Sequence, residues 1–308
     1  MISDILRPAE AVDFAAHLLD PVISMSTGLP SLDEVCVGTG GKGLAAGWYV
    51  VLGGASNSGK TKMALNLYQR AALQGWMPGI ITMEVPKRGL QRTMYSNITS
   101  FGYYDMLPDR WLAYTGETAD AKSRRLMEEL RQYSLQDVER GMYVAEFQRA
   151  PTLADIMAAC TALKESGCKV IFLDHLQLIK ASAENVADRA TDISEELRWF
   201  AHGEGILVIA LSQLNRMASR DRERRPTMHD LYGGTSVESN ANICLLIDSS
   251  RQLRDPEHPW LLRTFLLLDK NREGPNRLDI PVLADFKTGL WTEAEEEELG
   301  MWPGMEDG

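Results

Sequence analysis

A lysine and a hydroxyl at the end of a glycine loop are the clearest chemical equipment in this sequence. Gly54-Ala55-Ser56-Asn57-Ser58-Gly59-Lys60-Thr61 fits G-x-x-x-x-G-K-[ST] at every fixed position. Glycines let backbone N–H groups close on an anion, and a following helix N-terminus adds partial positive charge. In such a loop the lysine reaches the β- and γ-phosphates of a nucleoside triphosphate, and the hydroxyl sits on Mg²⁺. Lys60 and Thr61 are therefore the expected phosphate and metal contacts. Two carboxylates follow apolar runs further on. Asp174 ends Lys169-Val-Ile-Phe-Leu-Asp174, the Walker B pattern of a metal-organising aspartate. Glu84 follows Gly79-Ile-Ile-Thr-Met83 and is read in two ways, as a general base holding the attacking water or as a surface residue capping the next helix.

These residues need rigid elements to hold them. Trp48 to Leu52 is a short apolar run, and Met63, Leu65, Leu67 and Ala71 behind the loop form a helical stripe, so the loop lies between a strand and a helix. Further strands are expected at the alternating Met142–Phe147, the buried run Ile206–Leu211, Ile243–Ile247 and Leu261–Leu268, with helices from Thr152 and over about 187–203. Such alternation predicts an α/β fold with a mostly parallel central sheet flanked by helices. Gln213, at the end of one strand, faces the expected phosphates. Lys270 and Arg272 stand before Gly274-Pro275, a hairpin signal, and read alone as surface charge or phosphate contact. Arg216, Arg220, Arg222, Arg224 and Arg225, interrupted by Asp221 and Glu223, read as a solvated loop or a phosphate-tracking one.

The chain has 308 residues, 44% of them apolar and 24% charged, as in ordinary globular proteins. No apolar run approaches the length of a membrane span, and no secretory signal is visible. Cys36, Cys160, Cys168 and Cys244 lack metal-ligand spacing, which suits reduced thiols in a cytoplasmic protein. The net charge of −11 includes seven negatives in the last sixteen positions, and setting these aside leaves −4 for the body. Charge therefore does not exclude nucleic acid. Three segments are expected: residues 1–22 as a linker or a helix that either packs on its own domain or docks on a neighbouring subunit, 23–292 as the ATPase domain, and 293–308 as a flexible acidic tail.

Taken together, these motifs resemble the ATPase domain of DnaB-type replicative helicases, within the RecA-like P-loop ATPases. The resemblance rests on six places in order: Ser26-Thr-Gly28 with Leu32-Asp33, the glycine loop, Glu84-Val-Pro86 with Leu90, Leu173-Asp-His-Leu-Gln-Leu178, Ser212-Gln-Leu-Asn-Arg216, and Lys270-Asn-Arg272 before Gly274-Pro275. It implies Glu84 as the base, Asp174 as the metal carboxylate and Gln213 as the γ-phosphate sensor. Lys270 and Arg272 become the basic pair acting in trans, with Arg272 as the arginine finger. It further implies ATP and Mg²⁺, a homohexameric ring, single-stranded DNA, and loader or replisome partners.

The sequence departs from the family in two places. After Asp230-Leu231 it has Tyr232-Gly233-Gly234-Thr235 where an Arg-Glu pair is common, so DNA contact there would fall to the Tyr232 ring and to glycine N–H groups, together with Arg220 and Arg222. His175 stands where tyrosine is usual, a change read as minor. The alternatives are a KaiC- or RadA-like ring that remodels protein or promotes strand pairing, and an ATP-binding helicase-associated scaffold.

Overall fold

Six apolar runs become parallel strands in the order β8-β3-β7-β6-β4-β5. They are β3 (Tyr49–Gly54), β4 (Pro78–Thr82), β5 (Tyr143–Glu146), β6 (Val170–Asp174), β7 (Leu207–Gln213) and β8 (Ile243–Ile247). Val50 and Leu52 of β3 face one core, and Tyr49 and Val51 face a second. Strand residues point to alternate faces, so a run buried throughout needs cover on both sides. One cover is α2 (Lys60–Leu73), through Met63, Leu67 and Ala71. The other comprises α5 (Leu153–Glu165) and α6 (Val186–Glu204), through Ile156, Cys160, Ile193 and Leu197. The Thr152 side chain caps α5 reciprocally with Asp155, as its sequence predicts.

The remaining helices are α1 (Pro30–Glu34), α3 (Lys87–Ile98), α4 (Ala119–Gln132) and α7 (Gly234–Asn240). The short pair β1 (Ser24–Met25) and β2 (Leu44–Ala45) leads into β3. The sheet continues beyond β8 as antiparallel strands: β9 (Leu253–Arg254), β10 (Leu261–Asn271), β11 (Leu278–Asp285) and β12 (Trp291–Glu293). The connection over 272–277 is far shorter than a parallel crossover requires, so β10 and β11 form a hairpin.

The computed structural model describes residues 22–99, 101–107, 118–132, 142–180, 186–215, 224–248 and 250–295. The segment expected as a linker or docking helix lies outside them apart from Val22, which is exposed and not helical. One boundary needs correction. Glu293, assigned to the tail, is instead the last residue of β12, and it accepts hydrogen bonds from the Ser31 backbone N–H (3.0 Å) and the Ser31 hydroxyl. Among the described residues no helix is long and apolar enough to cross a membrane.

Candidate nucleotide site

Parallel sheets bind ligands at the carboxyl ends of their strands, and the loop of residues 55–59 leaves β3 at that edge. Asn57 and Gly59 adopt positive φ (61° and 95°) to turn the chain into α2, whose first residue is Lys60. A Cβ on Gly59 would lie 2.9 Å from the Trp291 ring and 3.0 Å from that of Phe286. Lys60 Nζ donates to the carbonyls of Gly54 (3.0 Å) and Ala55 (2.7 Å). Burial pulls its pKa down to about 8, against the opposing pull of Asp174 and Glu84. Ser58 Oγ is buried with no hydrogen-bond partner among the described residues.

Thr61 Oγ1 donates to Asp174 Oδ2 at 2.7 Å, joining the start of α2 to the end of β6. Register brings Glu84 to the same point. Thr82 pairs with Asp174, and the Met83 N–H donates to the Asp174 carbonyl at 3.0 Å. Helix α3 is entered at Pro86 with no side-chain cap, so the capping reading of Glu84 falls away. Glu84 Oε2 lies instead 3.0 Å from His175 Nδ1, which is itself 3.7 Å from Asp174 Oδ1. One ligand atom from each of Glu84, Asp174 and His175 lies within 4.8 Å of the others.

Gln213 ends β7 opposite Gly54 in the register. Its carbonyl accepts from Gln177 Nε2 (3.0 Å) and from the Tyr232 N–H (3.1 Å), while the Leu214 N–H donates to the Gly54 carbonyl (3.1 Å). A cleft of about 470 Å³ collects Ser56, Asn57, Gly59, Lys60, Thr61, Glu84, Asp174, His175 and Gln213. Lys62, Arg254 and Phe286 also line it. The Lys62 ammonium donates to the Phe286 carbonyl (2.7 Å) and stands 5.5 Å from the centre of that ring.

Other expected residues lie elsewhere. Lys270 pairs with Cys244 and Asn271 with Ile243, whereas Ile243 pairs with Val50 near the start of β3. Lys270 and Arg272 thus sit at the opposite end of the sheet from Gly54, donating to the carbonyls of Glu238 and Ser239 at the end of α7. Arg216, Arg220 and Arg222 lie outside the described residues. Two arginines of the proposed tracking loop are engaged internally, Arg224 with Asp230 and Arg225 with Asp279. A further correction concerns Gly234, whose N–H is not open to a phosphate. It is buried and donates to the Leu231 carbonyl at 3.1 Å. Gly233 is required by packing, since its φ is +68° and a Cβ there would meet the Ala190 Cβ at 2.1 Å. Tyr232 is half-buried and Thr235 exposed. The sequence reading missed Arg254 and Phe286 and undervalued His175. A returning hairpin and its flanking strands bring Arg254 and Phe286 to the cleft with no local motif to announce them, whereas His175 lies within the quoted Leu173–Leu178 motif and only its approach to Glu84 was hidden.

A family model described as the DnaB-like helicase C terminal domain matches residues 24–284. The replicative DNA helicase DnaB of Mycoplasma genitalium is 25% identical over 282 residues, which cover 89% of this chain and 57% of that protein. The chain spans between 56% and 60% of the length of the first curated relatives it matches. Among solved structures, the ATPase domain of G40P superposes with a TM-score of 0.71 at 18% identity, covering 92% of this chain and 96% of that one. A DnaB-like replicative helicase, described with its interactions with primase, superposes at 0.73 and 18% identity, covering 96% and 70%. These two likenesses concern the fold, a RecA-like arrangement of helices around the central sheet. Because the family model spans most of the chain, this protein belongs to the DnaB-like helicase C terminal domain family.

Proposed function

We propose that this chain hydrolyses ATP within a closed ring of identical subunits and moves that ring along single-stranded DNA. The observation that carries the reading is the division of the site. Lys60, Thr61, Glu84, Asp174 and Gln213 converge on one cleft, whereas Lys270 and Arg272 stand at the far end of the sheet. A ring in which one subunit's far end meets the next subunit's cleft reunites them.

The cleft fits the group expected in it. Lys60 rests on carbonyls that a phosphate would replace, and Ser58 Oγ lacks a partner among the described residues. The Thr61 hydroxyl and Asp174 carboxylate are the oxygen donors that Mg²⁺ prefers. When bound, Mg²⁺ supplies charge neutralisation at the phosphates. In the proposed cycle the loop of residues 54–61 cradles the phosphates, Phe286 and Arg254 border the remainder of the nucleotide, and Glu84 orients water and accepts its proton. The partner subunit's Arg272, aided by its Lys270, stabilises the charge that develops in the transition state. Gln213 senses the γ-phosphate and passes its loss to the segment after Asp230. Tyr232, Gly233 and Thr235 of that segment, together with Arg220 and Arg222 of the preceding arginine run, grip DNA. A hexamer is the proposed ring, loader proteins or primase its proposed partners, and the cytoplasm its proposed place of action.

The test is the steady-state ATPase rate against protein concentration, with and without single-stranded DNA. The reading expects a rise steeper than proportional, and stimulation by DNA. Strict proportionality would argue against a shared site, and absence of a DNA response would leave a ring that acts on something else.

A further inference from the structure

Glu84 is loosely held for a group that must aim a water molecule. It lies in an irregular bend two residues beyond β4, and its side chain is 61% exposed. Among the described residues a single basic side chain stands within 4 Å of its carboxylate, His175, whose Nδ1 is 3.0 Å away. His175 is held far more firmly. It directly follows Asp174, its side chain is 11% exposed, and its carbonyl accepts from the Leu178 N–H as the chain enters the short 3₁₀ turn Leu176–Leu178. A carboxylate only accepts hydrogen bonds, so a bond between the two requires a hydrogen on Nδ1. A glutamate left free on an exposed stem would have to lose its rotamer freedom at every turnover, whereas one already held is oriented before ATP arrives.

On the reading that Glu84 is the base, we propose that His175 is a positioning residue, holding the Glu84 carboxylate through Nδ1–H without itself contacting ATP. The donor set favours this over metal ligation, because Mg²⁺ prefers oxygen to imidazole nitrogen. The second neighbour of Nδ1, Asp174 Oδ1, is farther away at 3.7 Å.

The experiment compares wild type with His175→Phe, His175→Asn, His175→Gln and Glu84→Gln. It measures kcat and KM for ATP, and the Kd of a fluorescent ATP analogue with Mg²⁺. His175→Phe is expected to lower kcat about ten- to a hundred-fold while KM and Kd stay within about twofold, the signature of an interaction used in the transition state. Asn presents an amide N–H close to where Nδ1 lies and is expected to recover most of the loss. Gln extends its amide beyond that point and is expected not to. The proposal is overturned if His175→Phe retains the wild-type kcat, if Asn and Gln behave alike, or if KM and Kd rise in step with the loss. Should His175→Phe fail to fold, the Asn and Gln pair still decides. Wild-type activity in Glu84→Gln would instead refute the underlying assignment of the base, an outcome separate from any result at His175.

Discussion

Arg272→Ala offers the sharpest test of the divided site. Asn271, its neighbour, pairs with Ile243, and Ile243 pairs with Val50, four residues before Gly54. At about 3.3 Å per residue that offset is about 13 Å along β3 before the loop is reached, farther than an arginine side chain extends. Arg272 therefore has no route to the phosphates on its own subunit. If it acts on a neighbour, its loss should lower kcat by about 10³-fold or more while ATP binding persists. Lys60→Ala should be equally inactive because it removes the phosphate contact. Mixing the two inactive variants in equal amounts is then informative. An interface works only when an Arg272→Ala subunit supplies the loop and a Lys60→Ala subunit supplies the arginine. Random assembly produces that order at about a quarter of interfaces, so activity should recover toward about a quarter of wild type if interfaces fire independently. The assay is phosphate release after co-refolding or prolonged exchange, with native mass spectrometry confirming mixed rings. Confirmed mixing with no recovery would refute the trans assignment.

Three further perturbations follow from described contacts. Gly59→Ala introduces a Cβ against Trp291 and Phe286 at a positive φ, so a loss of about 1–2 kcal/mol in stability and weaker nucleotide binding are expected in thermal unfolding with and without ATP. Asp279 accepts from both Arg225, the last residue of the arginine run, and Arg251, which also pairs with the fully buried Asp248. Asp279→Ala should cost about 1 kcal/mol, because these pairs are partly exposed. It should weaken single-stranded DNA binding in fluorescence anisotropy, with DNA-free ATPase activity unchanged. Burial pushes the Asp230 carboxyl upward, but hydrogen bonds from Arg224 and Thr227 prevail and hold it below the usual range. A depressed carboxyl contributes stability that is present above its unfolded value of about 3.9 and lost as pH falls through its folded value. Asp230→Asn should therefore flatten the decline of the melting temperature between about pH 5 and 3, and an unchanged slope would refute the link.

The loop of residues 54–61 was legible because its chemistry is contiguous: eight residues, a strand before and a helix after. Asp174 was legible for a similar reason, at the end of an apolar run. Glu84 was half-legible. Its position after a strand suggested the cleft, but only the pairing of Thr82 with Asp174 and the entry of α3 at Pro86 removed the capping alternative. Arg254 and Phe286 were hidden, since they reach the cleft from a distant strand pair and a hairpin return, while His175 was visible beside Asp174 but its approach to Glu84 was not. Residue type misled at Gly234, where the absence of a side chain suggested an exposed N–H and the fold instead buries that group in a turn. The arginine run was only partly readable, because the carboxylates that engage Arg224 and Arg225 lie in other elements.

The Gln213 peptide has a consequence that extends beyond either site. Gln213 lines the nucleotide cleft while its carbonyl holds the Tyr232 N–H, so the two proposed ligands would meet across a single residue. Linkage then imposes symmetry. By whatever factor ATP alters the affinity for DNA, DNA must alter the affinity for ATP by the same factor. Replacing the Gln213 side chain should diminish both factors together, even though the residue need touch only one of the ligands. A ring built this way uses a single thermodynamic coupling in both directions, holding nucleotide more or less firmly according to what fills its centre.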